Sequence, residues 1–478
     1  MAPPPPSSFS SASLPSPAPI TPTTPIDDLP THLPTFLHDL DAFIARTITP
    51  LQAADDNARF FDHRREPSRT DFSRNGLPNA AWEALLAEAV RRADAAGFWR
   101  YSLPRALGGR AGSNLDMAVI REHLAAKGLG LFNDLQNEHS VVGNFPDVAM
   151  VLAFGSAAQR EELIGGRLRG EVRCTFGLTE PAHGSDATWM ETRAWLEVRR
   201  GVEGWRIAGR KMWQTGMHHA THCLVFARTD GANGDKGGIS CFVVPVDAEG
   251  VKVEGYEWTL NMPTDHATVS FTDVFVPRSS LLGPLHHGLL LAQTFVHENR
   301  IRQAASSLGA ASYCLTRSLS HAQHRAPFGA PLGTNQAISF PLVSLHAQIR
   351  ALRLLIRATA RRMDACGGDW ARIERDVGAD VAICNVWANR LVCRAADNAI
   401  QVFGARGYSR HEPFEHIWRH HRRYRITEGA EQVLMRKVAG RLLGLGKGKG
   451  EKGSGGERER GREGVKEDGK AMTVKALL

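Results

Sequence analysis

The sequence contains no uninterrupted apolar run of about 18 residues, the length that a membrane-spanning helix requires. Its seven cysteines are an odd number with no CxxC pair, which argues against a disulfide framework and a structural zinc site, so no metal site is predicted. Residues 1–34 contain no lysine or arginine, and the chain ends in Ala-Leu-Leu rather than Ser-Lys-Leu. Signals for mitochondria, secretion or peroxisomes are therefore not evident. We expect an intracellular protein, cytoplasmic by default, with the mitochondrial and peroxisomal compartments left open.

What the sequence does contain is enough apolar material for a large core, together with two unusual ends. Of its 478 residues 42% are hydrophobic, and 58 Lys and Arg against 50 Asp and Glu give a net charge of +8. Residues 1–34 hold 11 of the 25 prolines, and glycine and charged residues dominate residues 446–478. Neither composition can bury a core, so we predict a disordered arm over 1–34 and a disordered tail over 446–478.

Between these ends the periodicity of the apolar residues changes twice. Residues 35–167 show helical spacing, as at Ala81, Leu85, Ala89 and Ala93. Residues 168–284 contain short β-branched or aromatic runs separated by glycines, without the crossover helices of a parallel sheet. Residues 285–445 return to long helical patterns. We therefore predict an α+β protein that is mainly α, with an N-terminal helical domain, a middle antiparallel β-barrel or sandwich and a C-terminal helical bundle.

Two segments of the β-rich part break the pattern around them. Residues 174–186 run from apolar residues into a Pro/Gly turn at which Thr179 offers a hydroxyl, although a plain β-turn explains this equally well. Residues 211–216 place Trp213 two positions before Thr215, so that an indole can lie against a flat ring with a hydroxyl at its rim. For Trp213 alone, a position in the core is the competing interpretation.

A third segment, residues 419–429, is a strongly basic stretch that ends in Glu428 and Gly429. A carboxylate at a loop or helix start can reach a ligand as a base. A solvated glutamate, or one that caps a helix N-terminus, is the competing interpretation. The spacing of residues in this segment does not decide between the two.

Six segments in a fixed order make the chain resemble the acyl-CoA dehydrogenase family over residues 36–444. They are Thr179-Glu-Pro with Gly184-Ser-Asp186, Lys211-Met-Trp-Gln-Thr215, Phe271-Thr-Asp-Val-Phe-Val-Pro277, Arg325-Ala-Pro-Phe-Gly329 with Gln336, Gln401-Val-Phe-Gly-Ala-Arg-Gly-Tyr408, and Glu428-Gly429. Each segment is weak alone, but their shared order makes chance agreement implausible. The resemblance implies a C-terminal bundle of four helices and FAD bound between this bundle and the β-domain.

The same resemblance implies which residues contact FAD. Those expected around the flavin are Phe176, Leu178, Thr179, Trp213 and Thr215. Those expected to reach the FAD of a neighbouring subunit are Arg325, Phe328 and Gln336, with Gln401, Gly404 and Ala405 at the adenosine half and Gln432 as a further contact. Because one subunit then completes the cofactor site of the next, the resemblance implies a homodimer or homotetramer.

Glu428 matches the catalytic base of the family, which removes the α-proton of an acyl-CoA thioester while the β-hydrogen leaves as hydride to flavin N5. The product implied is the 2,3-enoyl-CoA, with an electron-transfer flavoprotein as electron acceptor. Ser185, Arg300 and Gly429 match positions near the substrate. Some relatives carry their base just before the matching arginine, but Asn299 stands there, which favours Glu428.

Departures from the family pattern leave other functions open. Ala405 replaces a glycine, and Ala430 replaces a threonine that commonly contacts FAD. One alternative is a flavin-dependent oxidase that uses oxygen on an acyl-CoA or a small nitro compound. Another is a non-catalytic or nucleic-acid-binding flavoprotein of the same fold, which the net charge of +8 permits. The arginines of residues 419–425 are either a solvated basic helix face or a cluster that alters acyl or CoA specificity. Acyl chain length and branching are not predicted.

Overall fold

The computed structural model describes residues 29–62, 67–134 and 139–444. By its internal contacts the chain divides after Val438 into two units, and of the second unit residues 439–444 are described. Most of the predicted arm and all of the predicted tail lie outside the described residues, but α1 begins at His32, within the last residues assigned to the arm. In the described ranges, no helix combines the length and the apolar character needed to cross a bilayer.

The N-terminal part is built from helices with two small hairpins. Its helices are α1 (His32–Phe43), α2 (Thr49–Ala53), α3 (Ala80–Ala95), α4 (Asn114–Ala126), α5 (Pro146–Phe154), α6 (Ala157–Gln159) and α7 (Gly166–Arg169). Its strands are β1 (Thr70–Asp71) paired with β2 (Leu77–Pro78), and β3 (Asn133–Asp134) paired with β4 (His139–Ser140). The start of α3 is fixed by the Asn79 side chain, which accepts a hydrogen bond from the Ala81 N–H at 2.9 Å.

The middle part is a mainly antiparallel eight-stranded sheet. Its strands are β5 (Cys174–Gly177), β6 (Arg193–Arg199), β7 (Val202–Thr215), β8 (His222–Arg228), β9 (Ile239–Pro245), β10 (Val251–Tyr256), β11 (His266–Pro277) and β12 (Leu281–Leu282). The strand order is β10-β11-β7-β6-β8-β9-β12, and β5 pairs in parallel with β8. This parallel pairing allows the turn after β5 to lie beside the end of β7.

Strand β8 is buried on both faces, which explains its unbroken apolar run. Leu224 and Phe226 face a core shared with the helices, whereas Cys223 and Val225 face a second core on the other side of the sheet. Successive side chains of a strand point to opposite faces, so a strand between two cores needs apolar residues at every position. The sheet therefore packs against the helical parts with one face and covers its own smaller core with the other.

The C-terminal part is a helical bundle around one long central helix. Its helices are α8 (Gly288–His324), α9 (Gln336–Asp364), α10 (Trp370–Arg372), α11 (Gly378–Phe403), α12 (Ala405–Tyr408), α13 (Phe414–Arg423) and α14 (Glu431–Leu442). Helix α8 packs against α4, α5, α9 and α11 and is buried along most of its length. The predicted order of helices, strands and helices is confirmed, whereas the exact domain boundaries stay a prediction.

Candidate active site

The end of β7 carries a bulge that turns Trp213 out of the sheet. Ala267 on β11 pairs with Gln214 and Val269 pairs with Lys211, so two residues of β7 face one residue of β11. Trp213 has a φ of +62°, and 46% of it is exposed, while Gln214 directly after it and Lys211 two positions before it are fully buried. A bulge re-aims a side chain in this way. The indole is therefore presented to the surface beside Thr215, instead of entering the core.

A buried ion pair joins the first two predicted segments. Lys211 Nζ lies 2.9 Å from Glu180 Oε1 and donates a hydrogen bond to Leu178 O at 3.2 Å. Glu180 also accepts hydrogen bonds from the Glu191 and Thr192 N–H groups at 2.7 and 2.8 Å. Burial alone would raise the pKa of Glu180, but the Lys211 charge and these hydrogen bonds hold it below its ordinary value. The pair fixes the Thr179 turn against β7.

The predicted flavin-lining residues of the two segments lie side by side. Met212 N–H donates to Thr179 O at 2.9 Å, which places the turn after β5 along the bulge of β7. Phe176 stacks on Phe295 of α8, with ring centroids 4.3 Å apart and planes 17° apart. Phe176, Leu178 and Thr179 are half-buried. The half-buried end of β5 therefore contacts the bundle, and the turn after it lies along the strand segment that carries Trp213.

Glu428 lies in a loop that is tied at its base. Residues 424–430 connect α13 to α14, and Arg425 Nε and Nη2 each donate to the Glu431 carboxylate at 2.8 Å. The Glu431 N–H donates back to Arg425 O at 3.0 Å, and Arg390 Nε donates to Glu431 at 3.1 Å. These bonds, with that of Arg425 the strongest cause, outweigh burial and lower the pKa of Glu431 to about 2. The loop is therefore closed by an ionised pair.

Arg300 binds the backbone carbonyl of Glu428. Its Nε donates to Glu428 O at 2.9 Å, and its Nη2 donates to the same oxygen. Burial lowers the pKa of Arg300 to about 10, which leaves the guanidinium charged at neutral pH. Glu428 has a φ of +57° and Gly429 one of +99°, and a Cβ added to Gly429 would lie 3.1 Å from Arg300 Nη2. Position 429 therefore favours glycine for two reasons: its φ is positive, and a Cβ would crowd the Arg300 guanidinium.

Sequence reasoning noted Asn299 as a missing base but did not predict its contact with Glu428. Asn299 Nδ2 donates to Glu428 Oε1 at 3.5 Å, and Asn299 Oδ1 accepts from Asn144 Nδ2 at 2.9 Å. Arg302 Nη1 donates in turn to Asn144 Oδ1. The chain of polar groups thus runs from a charged arginine to the carboxylate. No sequence spacing signals it, because Asn144 belongs to the N-terminal part.

The remaining predicted cofactor residues lie at the opposite end of α8. His321 of α8 stacks on Phe403 of α11 at 4.1 Å, which brings the two helix ends together. Exposed residues gathered at this end are Arg325, Phe328, Gln336, Gln401, Gly404 and Ala405. Arg300 lies 25 residues before Arg325, which is roughly 37 Å along the helix. The structure therefore does not bring this set to Glu428 within one chain.

The last predicted residues and the basic segment are placed separately. Ser185 is exposed in the turn before β6, and Gln432 is exposed in the first turn of α14. Arg419 Nε donates to Glu415 at 2.6 Å, and its Nη1 donates to Leu260 O at 2.8 Å. Because Arg419 and Arg425 are both engaged within the chain, the segment is not a uniform basic surface.

Backbone strain marks three of the predicted residues. Among the described residues ten non-glycine positions have positive φ, and Trp213, Phe328 and Glu428 are three of them. Bulky or charged residues in the left-handed region cost of order 1–3 kcal/mol each and persist where the surroundings impose them. Such strain is concentrated at ligand sites, which supports a functional interpretation of these three positions.

Solved structures define the class of protein that this architecture represents. The butyryl-CoA dehydrogenase of Megasphaera elsdenii is 25% identical with a TM-score of 0.68, and the match covers 87% of this chain and 99% of that one. Family models of acyl-CoA dehydrogenase match in succession: the N-terminal domain over residues 52–171, the middle domain over 175–274 and the C-terminal domain over 286–443. The chain belongs to the acyl-CoA dehydrogenase family, whose members are flavoprotein oxidoreductases.

Its curated relatives include proteins named as reductases and proteins named as dehydrogenases. The 3-(aryl)acrylate reductase of Clostridium sporogenes is 29% identical over 361 residues, which cover 74% of this chain and 90% of that protein. The caffeyl-CoA reductase-Etf complex subunit CarC of Acetobacterium woodii is 27% identical over 348 residues, 73% and 87% of the two chains. The mitochondrial short-chain specific acyl-CoA dehydrogenase of Mus musculus is 31% identical over 303 residues, 63% and 70% of the two chains.

Proposed function

We propose that this protein dehydrogenates an acyl-CoA thioester to the 2,3-enoyl-CoA with FAD as cofactor and Glu428 as base. The observation that carries the proposal is the way Glu428 is held. Its backbone is in the left-handed region, its carbonyl is clamped by Arg300, and its carboxylate lies 3.5 Å from Asn299. A glutamate that merely faced solvent would need none of these constraints.

The residues at the sheet–bundle contact fit FAD by their chemistry. Trp213 offers an exposed aromatic face. Thr215 is exposed two positions further along β7, and Thr179 is joined through its carbonyl to Met212, so threonine hydroxyls are available for the polar edges of a flat ring system. Phe176 and Leu178 would add an apolar wall. Bound FAD would supply the acceptor for the hydride that leaves the β-carbon of the substrate.

The protein's own residues would then handle the proton. Glu428 would accept the α-proton at its carboxylate, while the two Arg300 hydrogen bonds keep its backbone fixed during that transfer. Gly429 leaves room for this contact, because a Cβ at that position would lie 3.1 Å from Arg300 Nη2. Ser185 and Arg300 remain our candidates for contacts with the CoA portion, and for Arg300 the contact shown is the one with Glu428.

The separation along α8 supports an oligomer. Glu428 and the exposed set around Arg325 are roughly 37 Å apart along the helix, too far for both to hold one end of the same ligand. Arg325 and Phe328 would instead complete the cofactor site of a neighbouring subunit, in a homodimer or homotetramer. Arg325 suits this role because a guanidinium pairs with a pyrophosphate in two places.

The test is anaerobic mixing of purified, FAD-loaded protein with short, medium, long and branched acyl-CoAs while the flavin absorbance is followed. We expect bleaching by at least one of them. Glu428→Gln keeps the size of the side chain but removes the base, so it should slow bleaching by at least about a hundredfold. Glu161→Gln, an exposed glutamate far from the loop, is the matched control. Unchanged bleaching in Glu428→Gln would refute the assignment.

The relatives named as reductases favour a second possibility, enoyl-CoA reduction by the same site. Glu428 would then deliver the proton to the α-carbon, because the reverse reaction passes through the same transition state. Reoxidation of chemically reduced enzyme by a set of 2-enoyl-CoAs, compared with reduction of oxidised enzyme by the saturated thioesters, distinguishes the two directions. An electron-transfer flavoprotein is the proposed partner in either case, and stoichiometric peroxide release in air would point to oxygen instead.

A further inference from the structure

One cluster of metal-ligating side chains lies outside the candidate active site. Glu83 is in the first turn of α3, and His218 and His219 form a single 3₁₀ turn, Met217–His219, directly after β7. Glu83 Oε1 lies 2.7 Å from His218 Nε2 and 3.3 Å from His219 Nδ1. The two imidazole nitrogens are 2.9 Å apart. Three potential ligand atoms from two separate parts of the fold therefore converge on one point.

Hydrogen bonding cannot satisfy this triangle. If both histidines donate to Glu83, no hydrogen lies between the two nitrogens at 2.9 Å. If His219 donates to His218 instead, the bare Nε2 of His218 faces a carboxylate oxygen at 2.7 Å, and two lone pairs meet. If only His218 donates, the bare Nδ1 of His219 faces the same oxygen at 3.3 Å. With both histidines neutral, every placement of their protons therefore leaves one of the three short contacts unfavourable. One cation at the centre would satisfy all three contacts at once.

The exposure of the cluster also suits a cation. The Glu83 and His219 side chains are 35% and 37% exposed, so an ion can reach the three ligand atoms from solvent. His218 is a fixed ligand because 5% of its side chain is exposed.

We propose that Glu83, His218 and His219 form a site for a divalent transition metal ion, with Zn²⁺ as the best match. Two imidazoles and one carboxylate are borderline ligands that Zn²⁺ accepts and that Mg²⁺ and Ca²⁺, which prefer oxygen, do not. Around a tetrahedral Zn²⁺ with bonds of about 2.0–2.2 Å the ligand atoms stand roughly 3.3–3.6 Å apart. The Glu83–His219 edge already has that length, and small side-chain rotations that lengthen the other two edges by roughly 0.4–0.9 Å complete the geometry.

The site would join α3 to the end of β7. Thr215 precedes His218 by three residues, and Gly216, with a φ of +76°, turns the chain between them. A bound metal ion would therefore tie the strand that carries Trp213 to the N-terminal helices. This effect is one of stability and does not depend on the proposed catalytic function.

The test uses FAD-loaded, full-length protein without a histidine tag, treated with a chelator and titrated with ZnCl₂ by calorimetry. We expect one Zn²⁺ per chain in a class of sites that Glu83→Gln weakens by at least about tenfold. Glu83 is a third exposed, so this variant should fold. His218→Ala/His219→Ala should abolish the site, whereas His38→Ala/His411→Ala, which removes two exposed histidines elsewhere, should leave it intact.

Two further measurements distinguish this site from nonspecific binding of Zn²⁺ to surface residues. One equivalent of Zn²⁺ should raise the melting temperature of the wild type and of the His38→Ala/His411→Ala variant by similar amounts, and that of Glu83→Gln by less. Co²⁺ in the same site should give visible d–d absorption that the Glu83→Gln variant lacks. Equal affinity in the wild type and Glu83→Gln, or a loss in the His38→Ala/His411→Ala variant as large as in the other double variant, would overturn the proposal.

Discussion

The buried pair between Lys211 and Glu180 allows a quantitative prediction. Both side chains are inaccessible, with 0% and 3% exposed, so Lys211→Met would leave Glu180 as a buried charge without its counterion. Breaking a buried pair costs about 3–5 kcal/mol. Glu180 keeps its hydrogen bonds from the Glu191 and Thr192 N–H groups, but Leu178 O loses its partner. We therefore expect a loss of about 3 kcal/mol, at the lower end of that range.

A double-mutant cycle separates the pair from mere loss of packing. Glu180→Gln should cost a similar amount, because it leaves Lys211 buried and charged. The variant with both changes should lose at least about 1.5 kcal/mol less than the sum of the two, since neither uncompensated charge remains. Urea unfolding at equal flavin loading measures these differences. As a control, Lys252→Met, which replaces an exposed lysine on β10, should change the free energy of unfolding by less than about 0.5 kcal/mol.

The pair also predicts how this difference depends on pH. The pKa of Glu180 is lower in the folded protein than its ordinary value of about 4.3. Its stabilising contribution is therefore complete above that value and is lost as the pH falls through the folded pKa. In Lys211→Met the buried carboxylate has lost its counterion and should titrate at a higher pH than in the wild type. The gap in unfolding free energy between the two proteins should therefore narrow as the pH falls from that higher pKa to the lowered pKa of Glu180 in the wild type. Additive single variants, or a Lys211→Met variant within about 1 kcal/mol of wild type, would refute the reasoning.

Three further predictions concern the loop and the bulge. Gly429→Ala should lower the bleaching rate by at least about tenfold with little change in melting temperature, because a Cβ at a φ of +99° displaces Arg300 and with it Glu428; a normal rate would contradict the role of the glycine. Asn299→Asp should move the acid limb of the pH–rate profile to higher pH, because it sets a second carboxylate beside that of Glu428, whereas Asn299→Ala should not. Trp213→Gly should relieve the strain of the left-handed backbone and raise the free energy of unfolding of the apoprotein by about 1 kcal/mol. The same change should lower the affinity for FAD, and tighter FAD binding would contradict the proposed contact.

Much of the architecture was predictable from the sequence because its signals are local. The long helices of the bundle, such as Gly288–His324, follow from the helical period that residues 285–445 show in the sequence. The parallel pairing of β5 with β8 was not predictable. It joins strands separated by two others in sequence, and no local pattern records which distant strand a short apolar segment will choose.

For the candidate site, too, some features were predictable from the sequence and others were not. The sequence determined which residues to examine, because a family resemblance preserves residue types and order: Glu428, Trp213 and Arg325 were all named from it. Only the tertiary structure decided what they contact. Arg300 binds the Glu428 carbonyl, Asn299 connects to Asn144 from another part of the chain, and Glu83 meets His218 across more than 130 residues. Hydrogen bonds and ion pairs depend on distances of a few tenths of an ångström between groups far apart in sequence, and such distances exist only once the chain has folded.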